Sequence, residues 1–256
     1  MQFEDLNGKA ALVTGASRGI GAAIARGLGR RGVHVAVHYR AGRTEAEAVA
    51  AEIMAVGGKA VLVAGDVAER GGAGRVVDAA VAALGRLDIL INNAGDQIMR
   101  CPIVDTPDEL FDRQIDTNVR SVFEACRAGV RHMRRQGGGG VIINVGSIAG
   151  RTGGGIGSQV YAGAKAFVAT FSRSLAKEVV ADRIRVNVLS PGVIATDMQD
   201  RVSTPAQIAA TVATIPMARV GTSDECVGTC LYLCSDAASG YVTGQVIEVN
   251  GGLLMP

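Results

Sequence analysis

Short runs of apolar, β-branched residues recur along the chain: "AALVTG", "HVAVHYR", "AVLVAGD", "LDILINNAG", "GVIINVGS", "IRVNVLSPG" and "QVIEVNGG". Ala-rich stretches long enough for crossover helices separate them. This alternation is the rhythm of a parallel α/β sheet. Right-handed crossovers with helices on both faces give a doubly wound Rossmann fold, with seven strands expected in a single domain over residues 1–256. Gly15, Arg40, Asp66, Asn93, Ser147 and Pro191 each lie just past such a run. In doubly wound sheets ligands bind outside the carboxyl ends of the strands, so function is expected in these loops.

Composition narrows the picture. A chain of 256 residues can bury a large core without splitting in two. It is 48% hydrophobic and lacks Trp, which describes an aliphatic globule, and its 35 glycines imply many tight turns or close approaches. The formal charge of +2 offers no global attraction to nucleic acid or an anionic membrane. The N-terminal stretch has no basic, apolar leader, and no apolar run reaches the length of a membrane span. The chain reads as cytoplasmic. Cys226, Cys230 and Cys234 recur every four residues, the spacing of one buried helix face, and no nearby His completes a metal site. His34 and His38 alternate within a strand and His132 lies among arginines, so no metal is expected.

The first run leads into "TGASRGIG", which opens a helix. Glycines 15, 19 and 21 allow positive φ and let backbone N–H groups approach a diphosphate at a helix N-terminus. Gly15, Ser17, Arg18, Gly19, Ile20 and Gly21 are therefore the expected cofactor cradle. The second run ends without the acidic residue that usually holds a ribose 2′-hydroxyl: Tyr39 occupies its place and Arg40 follows. Arg18 and Arg40 suit a 2′-phosphate through charge-assisted hydrogen bonds, which favours NADP(H) over NAD(H).

The chemistry is expected in "NVGSIAGRTGGGIGSQVYAGAK". Tyr161 and Lys165 stand at i and i+4 of a helix beginning near residue 160 and share one face. A phenol of ordinary pKa near 10 is a poor acid–base group at neutral pH, and moving it toward 7 needs roughly 4 kcal/mol. A nearby ammonium and an oxidised nicotinamide would favour the phenolate. Ser147, at a strand end, is placed to hydrogen-bond a substrate oxygen. Asn118 is polar within an otherwise apolar pattern on a helix expected from about 108 to 134, where it could hold a water behind the lysine.

Together "TGASRGIG", "NNAG", Asn118, Ser147, "YAGAK", "SPGVIAT" and "VTGQVIEVNGG" resemble the short-chain dehydrogenase/reductase family from about residue 8 to 252. The resemblance implies that Tyr161 exchanges the carbonyl or alcohol proton and Ser147 orients the substrate. Lys165 would hold ribose hydroxyls and lower the tyrosine pKa, with Asn118 supporting a relay water. It also implies that Asp66 and Val67 flank the adenine, and that Asn93, Ala94 and Gly95 cover the ribose side. Pro191, Gly192, Ile194 and Thr196 would hold the nicotinamide. Two positions depart from the pattern. Ser147 and Tyr161 are 14 positions apart, one more than the commonest spacing, and Asn250 stands where Asp is common.

The overall pattern is similar to that of 3-oxoacyl-(acyl-carrier-protein) reductases, although Gly138 and Asp182 stand where basic residues would dock the carrier. A sugar or small-alcohol dehydrogenase is the competing expectation, and a non-catalytic NADP sensor a third. The "VGSIAG" stretch is not the G-x-S-x-G hydrolase elbow, and all three histidines precede Ser147. Segments 97–105, 148–159 and a lid after Thr196 are expected to enclose a small carbonyl or alcohol substrate, and they look small and apolar. By family analogy the chain is expected to form a homotetramer.

Overall fold

A computed structural model describes residues 3–255. Each of the seven apolar runs forms a strand: β1 (Ala10–Val13), β2 (His34–Tyr39), β3 (Lys59–Ala64), β4 (Ile89–Asn92), β5 (Gly140–Val145), β6 (Ile184–Pro191) and β7 (Val246–Val249). The sheet order is β3-β2-β1-β4-β5-β6-β7 and every pairing is parallel. Strand order reverses direction between β1 and β4, the place where such sheets open a ligand crevice.

The helices are α1 (Gly19–Gly29), α2 (Arg43–Ala55), α3 (Gly72–Leu84), α4 (Asp108–Ile115), α5 (Ser121–Gln136), α6 (Ala149–Thr152), α7 (Gln159–Val179), α8 (Asp197–Val202), α9 (Pro205–Val212), α10 (Val227–Cys234) and α11 (Asp236–Ser239). Side chains alternate across the pleat and so fill two apolar layers. Leu12, Leu90, Ile142 and Val186 pack with residues of α3, α5 and α7. Val13, Ile91, Ile143 and Val145 pack on the other side with α1, α2 and α10. Cys226, Cys230 and Cys234 belong to this second layer, so their spacing marks a core face as expected.

The helix expected over 108–134 is interrupted. A π-helical turn, Asp116–Arg120, joins α4 to α5. Its extra residue resets the phase of the helix, and Asn118 within it is fully buried. Among the described residues no helix is long and apolar enough to cross a membrane.

Candidate active site

A cavity of about 900 Å³ runs along the carboxyl ends of the strands. Nearly all the predicted site residues line it. They come from the loop after β1 (Gly15, Ser17, Arg18, with Gly19 and Ile20 opening α1) and from those after β2 and β3 (Arg40, Asp66, Val67). The loops after β4 (Asn93, Ala94, Gly95) and β5 (Ser147) add to the wall, as do Tyr161 and Lys165 of α7 and the end of β6 with its loop (Pro191, Gly192, Ile194, Thr196). Gly21, Tyr39 and Asn118 do not line it.

The loop after β1 is held from below. Thr14 Oγ1 accepts hydrogen bonds from the Asn93 and Ala94 N–H groups, both at 3.0 Å, and Asn93 Nδ2 donates to the carbonyls of Thr14 at 2.9 Å and Gly15 at 3.1 Å. Gly15 takes a φ of +63°, which a side chain would strain. Gly21 is a packing position: a Cβ there would stand 2.3 Å from the Gly15 carbonyl oxygen and 2.4 Å from Asn93 Nδ2. Arg18 caps α1 without a side-chain hydrogen bond, so the first N–H groups of this 11-residue helix remain free for an anion. Free amides at a helix start, backbone with no room for a Cβ and an adjoining long cavity fit the diphosphate of a dinucleotide.

At the ribose end the expectations need one correction. Tyr39 is buried in the layer formed with α1 and α2, because it continues the inward register of Val35 and Val37. His38, the residue before it, borders the cavity instead. Its Nδ1 accepts from the Gly15 N–H at 2.9 Å and its Nε2 lies 3.1 Å from the Gly65 carbonyl oxygen. Arg18 pairs with Asp197 at 3.1 Å and Arg40 with Asp66 at 3.8 Å, both on the exposed rim.

Ser147, Tyr161 and Lys165, the expected reacting groups, line one stretch of the cavity. Tyr161 and Lys165 are both buried, 8% and 5% exposed, with the ammonium 5.7 Å from the phenol ring centre. Lys165 Nζ donates to the Val145 carbonyl at 2.9 Å, which fixes it against the end of β5. Ser147 Oγ accepts from the Ala149 N–H at 3.1 Å and lines the cavity with Tyr161. Asn118 sits one layer behind. Its Nδ2 donates to the Asp96 carbonyl at 2.8 Å while its Oδ1 accepts from the Asp96 N–H at 3.1 Å, so it clamps the loop after β4 from the helix side.

Burial reverses the expected titration of the phenol. Desolvation pushes Tyr161 up to about 12, against the smaller downward pull of Ser147, and the Asp96 carboxylate adds to the rise. Desolvation also brings Lys165 down to about 8, with Asp96 opposing it. Burial thus outweighs the downward pull on the phenol.

The substrate half is more polar than its sequence suggested. Gln97 Nε2 donates to Ser158 Oγ at 2.7 Å, and Gln199 Nε2 donates to Ser203 Oγ at 2.9 Å. Arg100 joins three walls: it donates to the Val202 carbonyl at 2.8 Å, to Ser203 Oγ at 3.2 Å and to Ser158 Oγ at 3.4 Å. Asp96 and Arg201 form an ion pair from the loop after β4 to α8. Arg100, Asp96, Gln97 and His38 were not singled out from the sequence. For His38 the signal was present in the two-residue period of β2.

Residues 15–254 match the family described as enoyl-(acyl carrier protein) reductase. A 3-oxoacyl-(acyl-carrier-protein) reductase of Synechocystis sp. is 38% identical over 254 residues, 98% of each chain. An L-rhamnose 1-dehydrogenase (NAD(P)(+)) of Azotobacter vinelandii is 37% identical, over 96% of this chain and 97% of its own. Among solved structures, the NADH-dependent reductase A1-R′ complexed with NAD superposes with a TM-score of 0.88 at 34% identity, over 99% of this chain and 100% of that one.

Proposed function

The chain belongs to the short-chain dehydrogenase/reductase family, and from that premise we propose that it interconverts a carbonyl and a secondary alcohol, using NADP(H) in preference to NAD(H). The observation that carries this reading is the meeting of a phenol, a hydroxyl and an ammonium at the floor of one cavity, continuous with a helix start whose N–H groups are free.

A bound nicotinamide supplies the hydride in reduction and accepts it in oxidation. The remaining work falls to side chains. A carbonyl oxygen at the floor faces Ser147 and Tyr161 together, and both hydroxyls donate to the charge that develops there. With its pKa near 12, the phenol is protonated at neutral pH and enters reduction as the proton donor. Lys165 then stabilises the phenolate left behind. Oxidation runs the same proton transfer in reverse and starts from the phenolate.

Arg18 and Arg40 both line the cavity, Arg40 just past β2, and no carboxylate stands at the Tyr39 position, which supports the preference for a 2′-phosphate. NADPH should be used at least about tenfold more efficiently than NADH, and equal kcat/KM values would refute the roles of these arginines.

For the substrate, the relative from Synechocystis makes a 3-oxoacyl thioester the first reading. A sugar or small-alcohol substrate is the second, and the polar wall of Gln97, Arg100, Ser158, Gln199 and Ser203 favours it. Oxidation of NADPH screened against 3-oxoacyl thioesters, simple ketones and sugar-derived carbonyls separates them. The Tyr161→Phe variant is the control: turnover should fall by about 10³, with NADPH binding within about threefold of wild type. A wild-type chain that binds NADPH yet turns over no carbonyl would favour a sensor.

Assembly as a homotetramer belongs to the same proposal. Phe123 on α5 and Phe167 on α7 are 41% and 40% exposed around Phe171, an apolar face suited to a second copy. Light scattering should give four times 26.2 kDa, and a monomeric mass would overturn this part.

A further inference from the structure

His38 borders the cavity, and nothing in the reaction above uses it. Its ring is 1% exposed and sits at the end of β2, between the loop after β1 and the loop after β3. Two hydrogen bonds define its state. The Gly15 N–H, 2.9 Å from Nδ1, can only donate, whereas the Gly65 carbonyl, 3.1 Å from Nε2, can only accept. A ring that satisfies both is neutral and carries its proton on Nε2, because an imidazolium has no acceptor to offer Gly15. Burial agrees, holding the imidazole below its ordinary 6.5 against the Gly65 bond and the Asp66 charge. The charged groups around it are Asp66 after β3 and, paired to it at 3.8 Å, Arg40 after β2; the loop after β1 presents backbone.

The position of this contact gives it a role. Gly15 is the left-handed residue from which the phosphate loop departs toward α1. Its carbonyl is fixed by Asn93 Nδ2 at 3.1 Å and its N–H by His38, so the glycine is gripped from both sides. The His38 carbonyl in turn accepts from the Ala16 N–H at 2.8 Å, adding a second tie to the same turn. Side chain and backbone of one strand residue thus hold consecutive amides of the loop.

We propose that neutral His38 is a positioning residue for the dinucleotide: by accepting from Gly15 it holds the loop in the shape that aims the free N–H groups of α1 at the diphosphate. This rests on the reading that the cavity takes a nicotinamide dinucleotide. Alanine at this position leaves the Gly15 N–H without its acceptor, while the backbone tie from the His38 carbonyl to Ala16 remains. Asparagine places an amide oxygen about where Nδ1 stands, so it can accept from Gly15 and restore the grip.

The test uses the full chain, with NADP⁺ titrated calorimetrically near pH 7.5. His38→Ala should weaken binding about tenfold, and His38→Asn should stay within about threefold of wild type. In steady state His38→Ala should raise KM for NADPH by a similar factor with kcat within about threefold, a split that general loss of folded protein would not produce. Nitrogen NMR of the cofactor-free chain should show His38 protonated at Nε2 and bare at Nδ1. The proposal is overturned by alanine binding as tightly as wild type, by asparagine binding as weakly as alanine, or by a proton found on Nδ1. Should alanine fail to fold, the asparagine variant and the tautomer still decide. A wild-type chain that binds no dinucleotide sinks the cofactor reading itself, whereas wild-type affinity in the alanine variant sinks this inference alone.

Discussion

Replacing Lys165 by Met should stabilise the cofactor-free protein while abolishing its turnover. The ammonium is 5% exposed and its hydrogen bond runs to a neutral acceptor, the Val145 carbonyl at 2.9 Å. The Asp96 charge favours the ammonium, but Asp96 is ion-paired to Arg201 and desolvation prevails, taking Lys165 from 10.5 down to about 8. That depression corresponds to about 3 kcal/mol against the folded state at neutral pH. Methionine has a similar length and no charge to desolvate, but it strands the Val145 carbonyl, which costs about 1 kcal/mol. The net gain is about 2 kcal/mol, or roughly 4–8 °C in Tm for a chain of this size. The pH dependence follows from the sign. The folded value lies below the unfolded one, so the lysine penalty is complete below about pH 8, shrinks as the native lysine loses its proton, and is gone above 10.5. Circular dichroism melts and urea midpoints of both proteins at pH 7 and near pH 10 provide the assay. A variant less stable than wild type at pH 7, or an advantage that grows with pH, would refute the reasoning.

The same geometry sets further outcomes. The proposed carbonyl reduction calls for the Lys165 ammonium beside a protonated phenol, so kcat/KM should decline through about pH 8, and a profile flat to pH 10 would contradict the assignment. Arg18→Ala and Arg40→Ala should each reduce the preference for NADPH over NADH by about tenfold while leaving NADH use within about threefold, read as kcat/KM for the two cofactors. Arg100→Ala cuts the bonds that tie the loop after β4 to Ser158 and to the end of α8; KM for the carbonyl should rise about tenfold with dinucleotide affinity unchanged by titration.

The fold was legible because the inner strands are buried on both faces and read as continuous apolar runs, and each apolar run became a strand of one parallel sheet. Ser147, Tyr161 and Lys165 were legible because strand ends and one helical turn fix their neighbourhood. The misreading at the end of β2 was avoidable, since Val35, Val37 and Tyr39 share one face by simple alternation and leave His38 on the other. Asn118 was found as a polar residue in an apolar pattern, but the π turn that buries it breaks the period on which helix reading depends. Arg100 lay beyond reach for a different reason. Its partners stand 58 and about 100 positions away, and only the closed fold brings them to one wall.

Tyr161 shows how a correct pairing can still give the wrong sign. Its spacing from Lys165 placed a positive charge beside the phenol, and that part of the expectation holds in the structure. The spacing carried no information on dielectric, and packing against Ala149 and Ala162 leaves the phenol only 8% exposed and the ammonium only 5%. Two ionisable groups desolvated together each move toward neutrality: the phenol up to about 12 and the ammonium down to about 8. Their mutual attraction appears only in the state where both are charged, which is the state left after the phenol has given up its proton. For the reduction proposed above, this makes the pair neutral-plus-cation before the proton transfer and ion-paired after it, so the lysine's stabilisation is realised as the phenol gives up its proton.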